Sequence, residues 1–328
     1  MRLFCAILIS VALVWGGLNG GTGHAAPSVK ADAAILMDAK TGEVLFAHNI
    51  HKRCPPASTT KIMTAILAIE SGRLDETSEI SLRAAGTGGS SMHLFAGQHI
   101  TLRELLTGLM LRSGNDAAVA LAQHLGGSES AFVNMMNAKA QSLGAVNTRF
   151  ANPHGLTTPN HYSTAFDLAW MARYALADAT FASVVSTRET TIDWFDRRGR
   201  EKDVNLRNTN KLLWMLEDAD GVKTGTTGDA GPCLVASATR GNQRLISVVL
   251  HDHSRWHDSM QLLKYGFDAF DLYEYADAGQ SVGPLFVEKG ISEAVDVIIS
   301  QAAAVVVKPG DLPHVTVELD VPEKIKAP

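Results

Sequence analysis

The order of the apolar patterns along the chain limits the folds that it can adopt. Short strand-like runs cover Ala33–Met37 and Glu43–Ala47, on either side of a turn that contains glycine. Apolar residues then recur at helical spacing through much of residues 58–177. Strand-like runs return over Val222–Arg240 and Arg244–His251, and a Gly-Asn pair between them predicts a hairpin. This order predicts a mixed α/β domain.

Helix caps and apolar spacing place the individual elements. Helices are predicted over Ser58–Glu70, Thr101–Leu111, Asp116–His124, Glu129–Leu143, Thr164–Ala177 and Ser259–Phe270. Thr101 is the expected N-cap of its helix, and Ser113-Gly114-Asn115 is expected in a loop between two helices. Beyond residue 277, a small β-rich region is predicted from three runs, Val295–Ile299, Ala304–Val307 and Val315–Val321.

The N-terminus has the pattern of a secretory signal peptide over residues 1–25. Arg2 precedes an apolar core, Leu3–Trp15, and a stretch of small residues follows that core up to Ala25. The core is well short of the roughly 20 residues that a membrane-spanning helix needs. We therefore expect cleavage near Ala25 and an exported, extracytoplasmic protein.

Composition argues against a nucleic-acid partner and against a disulfide scaffold or zinc site. The chain has 29 Lys and Arg against 34 Asp and Glu, a formal charge of −5, and it has no basic tract. Nucleic acid is therefore not an expected partner, because phosphate neutralisation needs clustered cations. Three cysteines are too few for a disulfide scaffold, and no spacing predicts a zinc site. Cys5 belongs to the signal peptide, and the sequence leaves open whether Cys54 and Cys233 pair or stay as buried thiols.

The segment Ser58-Thr59-Thr60-Lys61 is the first candidate for chemistry. Its hydroxyl and amine are three residues apart at the start of a predicted helix, so both lie on one helical face. A serine hydroxyl is a weak nucleophile that needs an adjacent base, and a desolvated lysine can serve. The helix N-terminus adds backbone N–H groups where an oxyanion would form. An SxxK pattern alone is weak evidence, but here it opens an apolar helix after two prolines.

Two further triplets carry groups that could assist such a nucleophile. Ser113-Gly114-Asn115 offers a second hydroxyl and an amide, for proton relay and for holding a substrate backbone. Lys223-Thr224-Gly225 begins a predicted strand, where a lysine and a threonine can bind a carboxylate and a glycine permits close approach. Each triplet considered alone is more often an ordinary loop or strand end.

Together, the three motifs resemble the D-alanyl-D-alanine carboxypeptidases, the low-molecular-weight penicillin-binding proteins of peptidase family S11. The matching segments are Pro56-Ala57-Ser58-Thr59-Thr60-Lys61-Ile62-Met63-Thr64, Ser113-Gly114-Asn115-Asp116-Ala117, Asn152-Pro153-His154-Gly155-Leu156, Asn208-Thr209-Asn210-Lys211-Leu212-Leu213 and Gly221-Val222-Lys223-Thr224-Gly225. The similarity runs from about Ala31 to Tyr275. It implies a β-lactamase/transpeptidase-like domain over residues 26–275, in which helices flank an antiparallel sheet beside a helical subdomain.

The resemblance also implies a role for each matching residue. Ser58 would be the nucleophile, Lys61 its base, and Ser113 the donor of a proton to the leaving D-alanine. The remaining expected substrate contacts are the Asn115 amide, Lys223, the Thr224 hydroxyl, Gly225, the Thr226 backbone N–H and the Arg255 guanidinium. The substrate would be a peptidoglycan stem peptide that ends in D-Ala-D-Ala, and β-lactams would acylate the same serine. No metal or organic cofactor is implied.

The end of the chain departs from the family pattern. Members usually continue into a β-rich domain and then into an amphipathic helix that binds the membrane surface. Here residues 276–328 are expected to form a shortened, incomplete β-rich domain, and no anchoring helix is seen in the sequence.

Two other functions compete with a carboxypeptidase. A class A-like β-lactamase shares the nucleophile and the strand motif, but its Glu-x-x-Leu-Asn loop is missing between Ser113 and Lys223. A non-catalytic penicillin sensor or cell-wall-binding protein would have no need of the paired serine and lysine. A transpeptidase differs only in the acceptor, which is an amine instead of water.

Overall fold

The computed structural model describes residues 25–195, 200–276, 279–299, 303–311 and 324–326. The predicted signal peptide, apart from Ala25, lies outside these residues. The chain divides into compact units at Phe267/Asp268, with Ala26–Phe267 forming the larger one. No helix among the described residues is both long enough and apolar enough to cross a lipid bilayer.

The larger unit contains both strands and helices, and its strands occur near the start, in the middle and near the end of the unit. Its strands are β1 (Ala33–Asp38), β2 (Val44–His48), β3 (Thr77–Glu79), β4 (His99–Thr101), β5 (Glu189–Phe195), β6 (Glu201–Arg207), β7 (Ala219–Thr227), β8 (Gly231–Arg240) and β9 (Gln243–Leu250). Its helices are α1 (Lys61–Glu70), α2 (Leu82–Ala85), α3 (Leu102–Leu111), α4 (Asn115–Gly126), α5 (Glu129–Ser142), α6 (Ala165–Leu176), α7 (Ala179–Ser186), α8 (Leu212–Met215) and α9 (Arg255–Ala269), and a 3-10 helix covers Ala57–Thr60.

A five-stranded antiparallel sheet, in the order β2-β1-β9-β8-β7, joins the two ends of this unit. Ile35 of β1 pairs with Val248 of β9, and both side chains are fully buried. Long apolar strands of this kind form the middle of a sheet covered on both faces. The β7 strand lies at the edge, where part of its backbone remains available to another extended chain.

One predicted strand is wrong. The run Val222–Arg240 is not a single strand, because the chain reverses after Thr227 and returns as β8. The segment between them is Gly228-Asp229-Ala230, and Gly231 has a φ of +61°, in the left-handed region that glycine adopts readily. The Thr227 hydroxyl accepts a hydrogen bond from the Ala230 N–H and closes the turn. The sequence carries a turn signal here, Gly228-Asp229, which the prediction of one continuous strand overlooked.

Several helix predictions are confirmed, and others need a shift of boundary. Thr101 caps α3 in a reciprocal capping box with Glu104, as the sequence predicts. The helix predicted from Ser58 begins instead as the 3-10 helix, and α1 starts at Lys61. The last helix begins at Arg255, four residues before the predicted Ser259.

Polar sequence hid the hairpin formed by β5 and β6. These strands pair from Glu189↔Arg207 to Phe195↔Glu201, and their sequences are rich in Thr, Asp, Glu and Lys. Ile192 and Leu206 are its buried apolar residues among those described. Such sparse burial gives too weak an alternation to predict a strand.

The smaller unit contains strands alone among its described residues beyond α9. They are β10 (Asp271–Ala276), β11 (Ser281–Glu288), β12 (Ala294–Ile298), β13 (Ala303–Val307) and β14 (Lys324–Lys326). β10 pairs with β13, and β11 lies between β12 and β14. β12 and β13 confirm two of the predicted β-rich runs, whereas Val315–Val321 lies outside the described residues.

Candidate active site

The Lys61 amine is held by three oxygen atoms, one of which belongs to Ser58. Lys61 begins α1 one turn after Ser58, and its Nζ lies 3.0 Å from Ser58 Oγ. The same Nζ lies 2.7 Å from Asn115 Oδ1 and 2.7 Å from the backbone oxygen of His154. The lysine side chain is fully buried, while Ser58 keeps partial contact with solvent. Asn115 and His154 therefore fix the amine, which points at the partly accessible hydroxyl of Ser58.

Burial also favours the neutral form of this amine. Desolvation holds the pKa of Lys61 well below its ordinary value of 10.5, and the positive charge of Lys223 lowers it further. The carboxylate of Asp116 acts in the opposite direction. A lysine with a lowered pKa can accept a proton at neutral pH, as a general base must.

Asn115 links Lys61 to the loop between α2 and β4. Its Nδ2 donates to the Gly88 oxygen at 2.7 Å, and its backbone N–H donates to the Ser90 oxygen at 2.8 Å. Because Oδ1 faces the lysine and one amide hydrogen faces Gly88, one N–H of the amide remains for a ligand. Asn115 starts α4, so the predicted loop ends one residue earlier, at Gly114.

The neighbouring Asp116 fixes the same loop. Its buried carboxylate accepts hydrogen bonds from the Ser91 hydroxyl at 2.5 Å and from the backbone N–H groups of Met92 and Leu94. Sequence reasoning gave Asp116 no role of its own. Its signal is the acidic residue in the first turn of α4, a position where a negative charge is favourable.

Ser113 presents a buried hydroxyl to the site. Its backbone has a φ of +61°, which is unusual for a residue with a side chain and is found often at functional sites. The side chain is 5% exposed, and within the described parts of the chain Ser113 Oγ has no hydrogen-bond partner. A buried polar group without a partner is costly, and a substrate atom could satisfy this one.

The edge strand β7 lies directly against the 3-10 helix that carries Ser58. A Cβ placed on Gly225 would come within 2.9 Å of both Ala57 Cβ and Ser58 N, so this position requires glycine. The contact brings Ser58 N beside the backbone of Gly225. The sequence predicted that Gly225 would let a substrate approach closely, and the close neighbour in the structure is the 3-10 helix.

Lys223 is the second buried lysine of the site. Its Nζ donates to the Thr224 backbone oxygen at 3.1 Å, and the residue is 1% exposed. Burial, together with the nearby charge of Arg255, lowers the pKa of Lys223 to about 7. The ammonium form is therefore present below about pH 7 and is lost above it.

Arg255 reaches the outer end of β7 from the first turn of α9. Its Nη1 donates to the Gly225 oxygen at 2.8 Å and to Thr226 Oγ1 at 2.9 Å. Its guanidinium also lies 4.7 Å from the ring centroid of Trp256. The structure thus brings Arg255 to the same strand as Lys223 and Thr224, which supports its placement at an anionic group of a ligand.

The loop after α5 contributes His154 to the site, a contribution that the sequence did not predict. The His154 backbone oxygen binds Lys61, while its imidazole is buried and accepts from the Leu156 N–H. Burial lowers the pKa of this imidazole to about 3, so it is neutral at pH 7. Asn152-Pro153-His154-Gly155 was a recognisable turn, but a pattern of side chains does not show which backbone oxygen will face a lysine.

The two cysteines of the larger unit are free and buried, so they do not pair with each other. Cys233 is fully buried, and desolvation raises the pKa of its thiol to about 11. Burial likewise raises the pKa of the Cys54 thiol. Both thiols remain protonated at neutral pH, and neither is suited to act as a nucleophile.

Comparison with known proteins shows the family to which the chain belongs. Residues 21–254 match the peptidase family S11, described as D-alanyl-D-alanine carboxypeptidase. The chain is 37% identical over 308 residues to the D-alanyl-D-alanine carboxypeptidase DacF of Bacillus subtilis, covering 91% of this chain and 78% of that protein. The crystal structure of the Streptomyces K15 DD-transpeptidase superposes with a TM-score of 0.72 at 35% identity, covering 74% of this chain and 99% of that one. The D-alanyl-D-alanine carboxypeptidase DacD from Francisella tularensis gives a TM-score of 0.71 at 31% identity, covering 87% of this chain and 82% of that one.

Proposed function

Because the chain belongs to the S11 family of D-alanyl-D-alanine carboxypeptidases, we propose that it removes the terminal D-alanine from peptidoglycan stem peptides through an acyl-enzyme at Ser58. It is a serine-type carboxypeptidase that acts in cell wall metabolism, and β-lactams acylate the same serine. The observation that carries this function is the contact between Lys61 and Ser58 inside a buried set of acceptors.

Counting hydrogen atoms on the amine shows why this contact suits general-base catalysis. A neutral lysine amine has two hydrogens and one lone pair. Asn115 Oδ1 and the His154 oxygen can only accept, so they use both hydrogens. The lone pair is then left for the third partner, the hydroxyl of Ser58. Lys61 takes the hydroxyl proton as Ser58 Oγ attacks the carbonyl carbon of the penultimate D-alanine.

The other groups act on the developing charge and on the leaving group. The backbone N–H groups of Ser58 and Thr226 form the oxyanion hole, supported by the close packing of Gly225 on Ser58 N. The proton that Lys61 took passes through Ser113 Oγ to the departing amine as the C–N bond breaks, which returns Lys61 to its neutral form, and Lys223 favours that transfer by its charge. Asn115 holds the substrate amide. Water then attacks the ester carbonyl and restores the Ser58 hydroxyl.

The terminal carboxylate binds at the outer half of β7. Thr224 offers a hydroxyl that is 8% exposed, and Arg255 offers a guanidinium held against Gly225 and Thr226. A bidentate donor of this kind matches the geometry of a carboxylate. The reaction consists of acyl and proton transfers, which these side chains supply.

The family match disfavours the β-lactamase alternative. The two activities differ in deacylation: a carboxypeptidase releases bound penicillin slowly, whereas a β-lactamase turns it over rapidly. The chain is also similar to the Streptomyces K15 DD-transpeptidase, which supports a second candidate acceptor. An amine in place of water would then receive the acyl group from Ser58.

We place the enzyme outside the cytoplasm, in the periplasm or at the outer face of the cytoplasmic membrane. Its substrate lies there, and the pattern of residues 1–25 is that of an export signal. An N-terminal sequence of the exported protein that begins near Ala26 would support this location, and retention of Arg2 in an exported form would contradict cleavage at that site.

Incubation with a pentapeptide stem tests the function directly. Mass spectrometry should show the loss of one alanine with the wild type and no loss with Ser58→Ala. Addition of glycine to a parallel reaction reports transfer to an amine, as a product that is heavier than the hydrolysed peptide and one CH2 group lighter than the starting pentapeptide. Unchanged peptide with the wild type would refute the function, and product from Ser58→Ala would refute the nucleophile.

A further inference from the structure

The hydroxyl of Thr209 lies 3.1 Å from the hydroxyl of Thr224, across from the edge of β7. We propose that Thr209 is a positioning residue that acts through Thr224 on recognition of the substrate's terminal carboxylate. This inference rests on the proposed function, because it takes Thr224 to be a contact of that carboxylate. None of the motifs that predicted the site assigns Thr209 a role.

The backbone around Thr209 is held from three directions. Its N–H donates to the Leu111 oxygen at 2.9 Å, which ties the loop to the end of α3, two residues before Ser113. Asn210 Nδ2 donates to the Gly221 oxygen at 2.8 Å, and Asn208 Nδ2 donates to the Thr187 oxygen at 2.9 Å. The loop therefore spans the space between the helical side of the site and the sheet.

Burial of the flanking residues separates Thr209 from an ordinary loop residue. Asn208 and Asn210 are 6% and 1% exposed, whereas Thr209 between them is exposed. Their amides fix the backbone, so little conformational entropy remains to be lost when the Thr209 hydroxyl is held in one orientation. An exposed hydroxyl on such a fixed loop is placed for contact with another polar group.

Each hydroxyl has one hydrogen, and the direction of the bond between Thr209 and Thr224 decides whether Thr224 can donate to a ligand. Among the described residues, Thr209 is the only hydrogen-bond partner of Thr224 Oγ1. A carboxylate only accepts, and a threonine hydroxyl has a single hydrogen to donate. If Thr224 gave its hydrogen to Thr209, it would present lone pairs to the carboxylate. Donation from Thr209 to Thr224 leaves the Thr224 hydrogen free for the ligand.

A chain of two hydroxyls also strengthens the final bond. Each donor in such a chain polarises the next one, and the effect is larger when the last acceptor is charged. Lys223 and Arg255 supply the positive charge nearby, but neither sets the direction of the Thr224 hydroxyl. Loss of one neutral hydrogen bond corresponds to roughly a threefold to tenfold change in an equilibrium constant.

Steady-state release of D-alanine from a pentapeptide stem, measured for a set of valine and serine variants, tests this role. Thr209→Val has nearly the same shape as threonine but lacks the hydroxyl. We expect its KM to rise about threefold to tenfold, while kcat stays within about twofold of wild type. The reason is that the carboxylate contact is made in both the bound state and the transition state. Thr209→Ser keeps the hydroxyl and should stay within about twofold of wild type. Thr191→Val, which removes an exposed hydroxyl that donates to Asn205 in the β5–β6 hairpin, is the matched control.

The same substitution in a Thr224→Val background separates a relay from an independent contact. If Thr209 acts through Thr224, Thr209→Val should have no further effect on KM there. An equal effect in both backgrounds, an unchanged KM in the single variant, or no recovery by Thr209→Ser would overturn the proposal. Failure of the wild type to release D-alanine would instead refute the proposed function. The acylation rate with benzylpenicillin would then be compared among the variants. Thr209→Val should slow acylation in the wild-type background, but it should have no further effect in the Thr224→Val background.

Discussion

The backbone of Gly155 lies against the carbonyl group of Ala57, so that a Cβ placed on Gly155 would come within 1.8 Å of the Ala57 oxygen. Both residues have a positive φ, +91° for Gly155 and +49° for Ala57. Ala57 directly precedes Ser58, and Gly155 directly follows His154, whose backbone oxygen binds Lys61. The contact therefore packs the segment that carries the nucleophile against the loop that holds the base. Nucleophile and base therefore depend on one tight backbone contact.

Gly155→Ala should disturb both groups together. An alanine would face a backbone atom that cannot move aside, and it would also have to adopt a conformation that glycine alone adopts readily. We expect acylation by a fluorescent penicillin to slow at least about tenfold and the thermal midpoint to fall, because a misplacement of about 1 Å can cost about a hundredfold in rate.

Gly72→Ala provides the matched control for this prediction. Gly72 also has a positive φ, +66°, but a Cβ there would meet nothing within 4 Å. It should cost about 1 kcal/mol of stability through strain and leave acylation unchanged. Acylation of Gly155→Ala at the wild-type rate would show that the contact does not position Ser58.

The pH dependence of acylation should report the two buried lysines. Lys61 must be neutral, so the rate rises with pH through its lowered pKa, while loss of the Lys223 proton near pH 7 gives a falling limb. Arg255→Ala removes a charge that lowers the pKa of Lys223, and so the falling limb should move to higher pH. Arg255→Lys keeps a positive charge and should leave the limb closer to its wild-type position. Stopped-flow acylation rates between about pH 5 and about pH 10 measure this, and a limb that stays in place in Arg255→Ala would contradict the assignment to Lys223.

His161 supports the site from within the core and should make stability pH-dependent. Its Nδ1 accepts from the Ala151 N–H at 3.0 Å, so its Nε2 carries the hydrogen and donates to Thr60 Oγ1 at 2.8 Å. Burial lowers the pKa of His161 from 6.5 to about 4. The unfolded chain therefore binds more protons than the folded one between these values, and stability is lost as pH falls through that window.

Denaturant titrations at several pH values check this linkage. Between pH 6.5 and about pH 4, the wild type should lose up to about 1.4 kcal/mol of unfolding free energy per pH unit more than His161→Gln, which does not titrate. His99→Gln removes an exposed imidazole on β4 and should follow the wild-type curve. Parallel curves for wild type and His161→Gln would show that His161 is not the group responsible.

Sequence patterns predicted the parts of this protein in which local chemistry decides the structure. The Thr101 cap lies three residues before the glutamate that completes its capping box, and the first hairpin is marked by two short apolar runs around a turn that contains glycine. The proximity of Ser58 and Lys61 also follows from helical spacing, since three residues separate them along the chain.

The parts that sequence could not predict depend on contacts between distant segments. The His154 oxygen that binds Lys61 is a backbone atom, so no residue type signals it. Gly155 was visible as a turn residue, but its contact with Ala57 exists only after the two loops pack. The reversal after Thr227 is different, because Gly228-Asp229 is a turn signal that the sequence does carry.

Peptide mapping after treatment with benzylpenicillin tests whether Ser58 is the nucleophile, because Lys61 Nζ lies 3.0 Å from Ser58 Oγ and should activate that hydroxyl alone. We expect one covalent adduct, on the peptide that contains Ser58, and none in Ser58→Ala. An adduct on another residue, or one that persists in Ser58→Ala, would contradict it.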